Sequence, residues 1–240
     1  MWMICKKECS QFFGSLTGYI SIIIFLLLSG LLFFVFPDTS LLDFGYASLS
    51  SFFINIPWIL LFLIPTITMR SIADELKSGT FEILKTLPLT NKQIVTEKFL
   101  GALIIVIIAL LPTLCYAFTL QHLSAAGGLD WGSTIGSYIG LILLSATFTA
   151  AGICSSSFTN NTVVAFVAGA FVCFLLLNGF DALSKLPVFK GHWDYYIEML
   201  GINFHYKNIS RGVIDSRDVV YFLVVCWLLL FITQKNISKK

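Results

Sequence analysis

The chain has 240 residues, of which 57% are hydrophobic and 12% are charged, and its formal net charge is +2. An average soluble domain carries about 25% charged residues, so this composition, with a mean hydropathy of +0.88, excludes an ordinary soluble enzyme and indicates an integral membrane protein. The small net charge also argues against nucleic acid as a partner.

The first predicted element is an N-terminal segment, 1–17, in which Trp2, Phe12 and Phe13 recur at helical spacing around Lys6 and Lys7. This pattern predicts an amphipathic helix that lies in the membrane interface. Six apolar runs follow, at residues 19–36, 52–68, 99–120, 135–153, 163–180 and 219–232. A helix needs about 20 mostly apolar residues to cross a bilayer. The sequence therefore predicts an all-α membrane protein with six transmembrane helices, in a single domain over residues 1–240.

The first and last runs need separate treatment. The first is expected to stay as an anchor, because no small-residue cleavage pattern follows it. The last has only 14 residues, a length that is also typical of interfacial or re-entrant helices. If it does not span, the C-terminus moves to the other side of the membrane.

The distribution of Lys and Arg predicts the orientation. With six spans, both termini and the even-numbered loops share one side, which carries ten of the fifteen Lys and Arg residues. Because cytoplasmic loops are enriched in these residues, we expect both termini and the loop 70–98 in the cytoplasm. The other five lie in one external loop, 181–218, whose aromatic residues predict short helices at the membrane surface.

The spans lack the groups that intramembrane chemistry uses. None of the six runs contains Asp, Glu, Lys, Arg or His, which disfavours proton relays and intramembrane hydrolases. Residues 79–86 approximate a phosphate loop, but Leu84 stands where the second glycine is required. We expect no catalytic residue, no metal and no cofactor on this chain, so energy for any work has to come from a partner.

Small residues at the start of the fourth span predict close helix packing. Gly132, Gly136 and Gly140 recur every four residues, a spacing that lets another helix approach the backbone. The sequence leaves open whether that helix belongs to this chain or to a second subunit.

The loop 70–98 contains residues that signal the starts and ends of helices. Gly79 predicts the end of a helix that continues the second span, and Thr80 predicts the start of a short helix that Pro88 stops. Thr90 predicts the cap of a third helix, which runs into the third span. The expected order is helix, short cross-helix, helix.

Two further expectations concern side chains in this loop. On the short helix, Phe81, Leu84 and Lys85 share one face, which predicts an apolar knob beside a charge that could seat in a partner's cleft. The alternative is a solvated connector. Glu75 is expected to be the charged anchor at the end of the second span, with Arg70 as its neighbour.

Three series of residues carry a family resemblance. The first is Glu75, Gly79, Thr80, Glu82, Leu84, Pro88 and Lys98, which resembles the first cytoplasmic loop of ABC-2 type transporter permeases. The second is Lys7, Glu8, Phe12, Phe13, Ser15, Gly18, Tyr19 and Ile20, which is similar to the N-terminal elbow helix of that family. The third resembles the end of the external loop in the gliding-motility branch, and it consists of Phe204, Ile209, Ser210, Arg211, Gly212, Val213, Ile214, Asp215, Asp218, Val219, Tyr221 and Phe222.

The resemblance implies a type V exporter-like architecture with six spans per subunit, a second permease subunit, and separate ABC ATPase subunits that bind ATP. It implies a location in the bacterial inner membrane. The short helix would be the coupling helix on which an ATPase docks. The residues implied in coupling are Glu75, Gly79, Thr80, Phe81, Glu82, Leu84 and Lys85, with Arg70, Pro88 and Lys98 as loop anchors.

The expected function is therefore a permease subunit of an ABC transporter linked to gliding motility. Two alternatives remain open. One is a general drug, ion or antibiotic export permease with the same fold. The other is a membrane scaffold that does not transport and instead passes ATPase motion to the cell envelope.

Overall fold

A computed structural model describes residues 2–36, 49–86, 88–124, 128–186, 194–212 and 215–238, and at residues 2, 83, 85 and 86 it describes the backbone alone. Helices form almost all of this part of the chain. They are α1 Trp2–Phe13, α2 Leu16–Phe34, α3 Ser50–Ser78, α4 Thr80–Thr86, α5 Asn91–Leu110, α6 Leu114–Leu123, α7 Trp131–Ser157, α8 Thr162–Phe174, α9 Phe180–Ser184, α10 Asp194–Met199, α11 Ile202–Ile209 and α12 Ser216–Ile237.

Six helices in the described ranges are long and apolar enough to cross a membrane. They are Leu16–Phe34, Ser50–Ser78, Asn91–Leu123, Trp131–Ser157, Thr162–Ser184 and Ser216–Ile237. The prediction of an all-α fold with six candidate spans is confirmed. The weak last run belongs to a helix of 22 residues, because polar residues at both ends extend the apolar stretch to a length that can span.

Two of these candidate spans are not regular α-helices throughout. Between α5 and α6, residues Leu111–Thr113 form a 3₁₀ turn around Pro112. Proline has no N–H to donate a regular helical hydrogen bond, and its ring clashes with the carbonyl group four residues earlier. Between α8 and α9, residues Leu175–Gly179 form a π-helical turn. By contrast, α3 continues unbroken through Pro57 and Pro65.

The core is built around α7, which packs against α3, α5, α8, α11 and α12. Leu141, Leu144 and Phe148 on this helix are completely buried. Much of the apolar surface of α2, α8 and α12 is exposed, as expected for helices that face lipid or another subunit.

The small-residue face of α7 packs inside this chain. A Cβ atom at Gly140 would lie 2.8 Å from Cγ2 of Ile209 on α11, closer than carbon atoms approach without repulsion. Glycine therefore allows α11 to lie directly on α7, and the predicted close approach is confirmed with a helix of the same chain.

The 181–218 loop contains short helices, as predicted, although residues 187–193, 213 and 214 lie outside the described part. Tyr206 on α11 donates a hydrogen bond of 2.6 Å to the carbonyl oxygen of Phe53 on α3. His205 lies with Nε2 2.8 Å from the carbonyl oxygen of Met199 and with Nδ1 2.6 Å from Oδ1 of Asp218 on α12. Because a carbonyl can only accept, Nε2 donates to Met199, while Nδ1 faces the side chain of Asp218. These bonds fix the loop to the bundle.

Candidate functional site

The 70–98 loop is formed by the ends of two candidate spans and the helix between them. α3 ends at Ser78, and Gly79 follows in the left-handed conformation with φ 70°, which glycine adopts without a Cβ penalty. α4 then crosses to Pro88. α5 starts with a capping box, in which the Thr90 hydroxyl accepts from Gln93 N and the Gln93 side chain accepts from Thr90 N. The predicted order of helix, short cross-helix and helix is confirmed.

A buried lysine ties this loop to the N-terminal helix. The Lys98 side chain is completely buried, and its Nζ donates to Oε1 of Glu8 at 2.7 Å and to the carbonyl oxygen of Ser71 at 2.6 Å. The same Nζ lies 2.8 Å from Oε2 of Glu75, although the angle is unsuitable for a hydrogen bond. Glu75 Oε1 also accepts from Lys7 at 3.0 Å. We call Lys7, Glu8, Glu75 and Lys98 the Lys98 cluster.

The Lys98 cluster is electrostatically balanced, since it contains two cations and two carboxylates. It joins α1, α3 and α5 at a single point. A buried lysine without partners would be very costly, and here the carboxylates of Glu8 and Glu75 supply partners for Lys98.

The expected pairing of Glu75 with Arg70 is wrong. Within the described residues, the ion-pair partners of Glu75 are Lys7 and Lys98, while Arg70 donates to the hydroxyl of Thr17 at 3.1 Å. The physical reason is spacing. Residues 70 and 75 lie on different sides of α3, whereas α1 and α5 place lysines directly against Glu75.

The predicted apolar knob on α4 is not exposed. Phe81 is 3% exposed and Leu84 is 9% exposed. Phe81 belongs to the main core of the bundle, and Leu84 packs with Ile4 of α1 and Ile94 of α5. Their shared face is covered by this chain, so it stabilises the loop and is not a free contact surface.

The exposed part of the loop is polar. Gly79, Thr80, Glu82 and Pro88 are exposed, and the Thr80 hydroxyl lies 2.9 Å from that of Ser78. The side chain of Lys85 lies outside the described part of the chain, as does residue 87, which precedes Pro88.

Glu97 is a second buried charge that the sequence patterns did not identify as a site residue. It is 6% exposed, and its Oε2 accepts from Ile4 N at 3.1 Å. Ile4 lies in the first turn of α1, where backbone N–H groups lack helical partners and attract negative charge. Glu97 thus caps α1 from a position 93 residues away, and no local spacing signals such a contact.

A serine side chain enters the hydrogen-bond ladder of α3 just before the Lys98 cluster. Ser156 Oγ on α7 accepts from Ala73 N at 3.0 Å and from Ile72 N at 3.2 Å, and it donates to the carbonyl oxygen of Met69 at 3.1 Å. Residues 69 and 73 are the pair that a regular α-helix joins directly. Insertion of a side chain at such a position is a recognised cause of helix bending.

The fold and the charged end of the bundle together define a multi-pass helical membrane protein whose N-terminal helix packs against the hairpin between the second and third candidate spans. Residues 2–190 match the family model described as ABC-2 family transporter protein. The chain belongs to this family and is a transmembrane permease of an ABC transporter. No curated protein matches the chain significantly. The series within 204–222 that resembles the gliding-motility branch lies beyond the matched residues.

Proposed function

We propose that this chain is the permease subunit of a bacterial ABC transporter whose separate ATPase subunits dock on the 70–98 loop. In this proposal the chain binds no ATP and carries no catalytic residue. It pairs with a second permease subunit in the cytoplasmic membrane, with both termini in the cytoplasm. The family assignment supports an ATPase partner, and the excess of Lys and Arg on the side of the loop supports the orientation.

The observation that carries the docking proposal is the attachment of α4. Its apolar face is buried against this chain through Phe81 and Leu84. The helices on either side of it, α3 and α5, are joined by the ion pair of Lys98 with Glu75, and Lys98 also pairs with Glu8 on α1. A loop held in this way moves with α1, α3 and α5. A push on its exposed edge would therefore reach the candidate spans, whereas a solvated connector would absorb it.

The exposed edge around Glu82 is the proposed ATPase contact. We expect a photo-activated crosslinker placed at position 82 of the full-length protein to capture an ABC ATPase in cells. Position 207, where Lys207 is exposed in the 181–218 loop, provides the control and should give no such product. Capture at position 207 alone, or at neither position, would refute docking on α4.

A charge reversal then tests the contact quantitatively. Glu82→Lys should weaken co-purification of the captured ATPase about tenfold, the effect of losing roughly 1.4 kcal/mol of favourable contact. Asp194→Lys is the matched control, because Asp194 is an exposed carboxylate on the short helix α10. Equal binding by both variants would contradict the proposal.

We further propose that the complex serves gliding motility, on the resemblance of the series within 204–222. Loss of gliding in a strain that lacks the chain, with normal growth, is the expected result. Purified complex in sealed vesicles separates the alternatives: ATP-dependent movement of a solute indicates an exporter, and ATP hydrolysis without movement of any solute tested indicates a scaffold.

A further inference from the structure

A polar cleft lies beside the Lys98 cluster, where α1, α2 and α3 meet. Its volume is about 180 Å³, and its lining includes Thr17, Ser21, Arg70, Ser71 and Asp74. The cleft is thus located beside the N-terminal end of α2 and the C-terminal part of α3, at the charged end of the bundle.

An apolar groove leads away from this cleft between α2 and α3. It has a volume of about 310 Å³ and is lined almost entirely by apolar side chains, including Ile24, Leu28 and Phe62. The cleft and the groove share four lining residues, which are Thr17, Ser21, Thr66 and Met69. A polar space is therefore continuous with an apolar one, and this arrangement matches a molecule with a polar head and a hydrocarbon chain.

Three polar groups of the cleft lack a matching partner within the described residues. Arg70 donates to the Thr17 hydroxyl but has no carboxylate within 4.0 Å. In the described part of the chain, the carboxylate of Asp74 has no hydrogen bond or ion pair. The hydroxyl of Ser71, a residue only 5% exposed, is buried without a hydrogen-bond partner, and a buried polar group in that state is costly unless a ligand or water satisfies it.

The charges of the cleft indicate the kind of headgroup. Glu8 and Glu75 also line it, but the lysines of the Lys98 cluster neutralise both. This leaves the guanidinium of Arg70 and the carboxylate of Asp74, which are four residues apart and hence neighbours on one face of α3. Among the described lining residues, one cation and one anion without an ion-pair partner suit a headgroup that carries both charges, and they do not suit a net anionic one.

We propose that the cleft and the groove hold one phospholipid of the adjacent leaflet, whose headgroup pairs a phosphate with a primary ammonium. Arg70 donates to the phosphate, and Asp74 accepts from the ammonium. The Ser71 hydroxyl supplies a further donor to the headgroup, and an acyl chain occupies the groove past Thr66. This site lies away from the exposed edge of α4, so it does not depend on ATPase docking.

The test measures the lipids that stay with the full-length protein after purification in mild detergent. Aminophospholipid should be enriched in the retained fraction relative to a lipid extract of the same membranes. Arg70→Gln should lower retention about tenfold, because a charge-assisted hydrogen bond is lost. Arg70→Lys, which keeps the cation, should retain the lipid. Lys77→Gln is the control, since Lys77 is an exposed cation on α3 outside the cleft.

Two more variants separate the two ends of the site. Asp74→Asn should keep phospholipid bound but remove the preference for ammonium headgroups over glycerol headgroups. Ser21→Trp should block the passage between cleft and groove and lower retention without changing any charge. Variants are compared only where gel filtration and the unfolding midpoint match those of the wild type.

Several results would overturn the proposal. Retained lipid with the same composition as the membrane extract would indicate ordinary annular lipid. Equal retention of lipid by Arg70→Gln and the wild type would show that Arg70 makes no contact with a lipid phosphate. Displacement of the lipid by excess inorganic phosphate would indicate a site for free anions.

Discussion

The buried charge of Lys98 provides a direct test of how the N-terminal helix is held. Lys98→Met removes the cation but keeps an unbranched side chain of similar length. The carboxylates of Glu8 and Glu75 would then face each other, with Lys7 as the remaining cation near them. Because Lys7 is half-exposed, it compensates poorly, and α1 should separate from α3 and α5.

The expected magnitude follows from burial. Breaking a buried ion pair by removing one partner costs about 3–5 kcal/mol. The side chains of Glu8 and Glu75 are 15% and 12% exposed, so water can partly solvate the orphaned carboxylates, and we expect about 3 kcal/mol, at the lower end of that range. Lys7→Met, the matched control in the same cluster, should cost below about 1 kcal/mol, because its ion pair is half-exposed.

Equilibrium unfolding in mixed detergent micelles, followed by tryptophan fluorescence, measures these differences. Proteolysis at the link between Gly14 and Ser15 reports separately on the release of α1. Replacing the whole buried set, with Glu8→Leu, Glu75→Leu and Lys98→Met together, should restore stability to within about 1 kcal/mol of wild type, because no buried charge is left unpaired. The reasoning is refuted if Lys98→Met is as stable as wild type, or if Lys7→Met costs as much as Lys98→Met.

Three other substitutions or measurements test separate contacts. Gly79→Ala should lower the free energy of unfolding by about 1–2 kcal/mol from backbone strain alone, since no atom of the described residues lies within 4 Å of the added Cβ; an unchanged midpoint would contradict the left-handed cap. Tyr206→Phe should cost about 1–3 kcal/mol by the same measurement, because the buried carbonyl of Phe53 loses its donor; a loss below about 0.5 kcal/mol would be the contrary result. Burial raises the pKa of the Cys9 thiol, so its alkylation rate, followed by peptide mass spectrometry, should keep rising with pH beyond the midpoint of a free cysteine near about 8.5; a midpoint at or below that of the unfolded chain would show that burial does not control the thiol.

The elements that the sequence predicts well are those with local signals. Apolar runs of sufficient length identify the candidate spans, and the left-handed cap at Gly79 and the capping box at Thr90 are each determined by residues within a few positions. The last candidate span was uncertain from its 14 apolar residues because polar helix ends such as Arg217 and Gln234 do not count as apolar, although they belong to the helix.

The site was less predictable because its contacts join distant parts of the chain. Glu8 and Lys98 are 90 residues apart, and many charges were available to each of them. The spacing of Phe81 and Leu84 correctly indicates a common face. Spacing alone does not show whether that face is covered by other helices of this chain or by a partner subunit. Here α1 and α5 cover Leu84 and the main core covers Phe81, and the same pattern would have appeared if a partner subunit covered them.

Under the proposed docking on α4, the Ser156 contact lies where a push would pass from the loop into the second candidate span. On the C-terminal side of this contact, α3 is joined to α1 and α5 through the Lys98 cluster, and on its N-terminal side α3 packs against α7. The turn between Met69 and Ala73 is therefore the place where a side chain of another helix forms hydrogen bonds with the backbone of α3. The packed core resists volume changes. The C-terminal end of α3, held rigidly by the Lys98 cluster, would therefore tilt about this turn more easily than α3 would slide along the core. Arg70 lies within this turn, so a lipid bound there would occupy the space that tilting opens or closes.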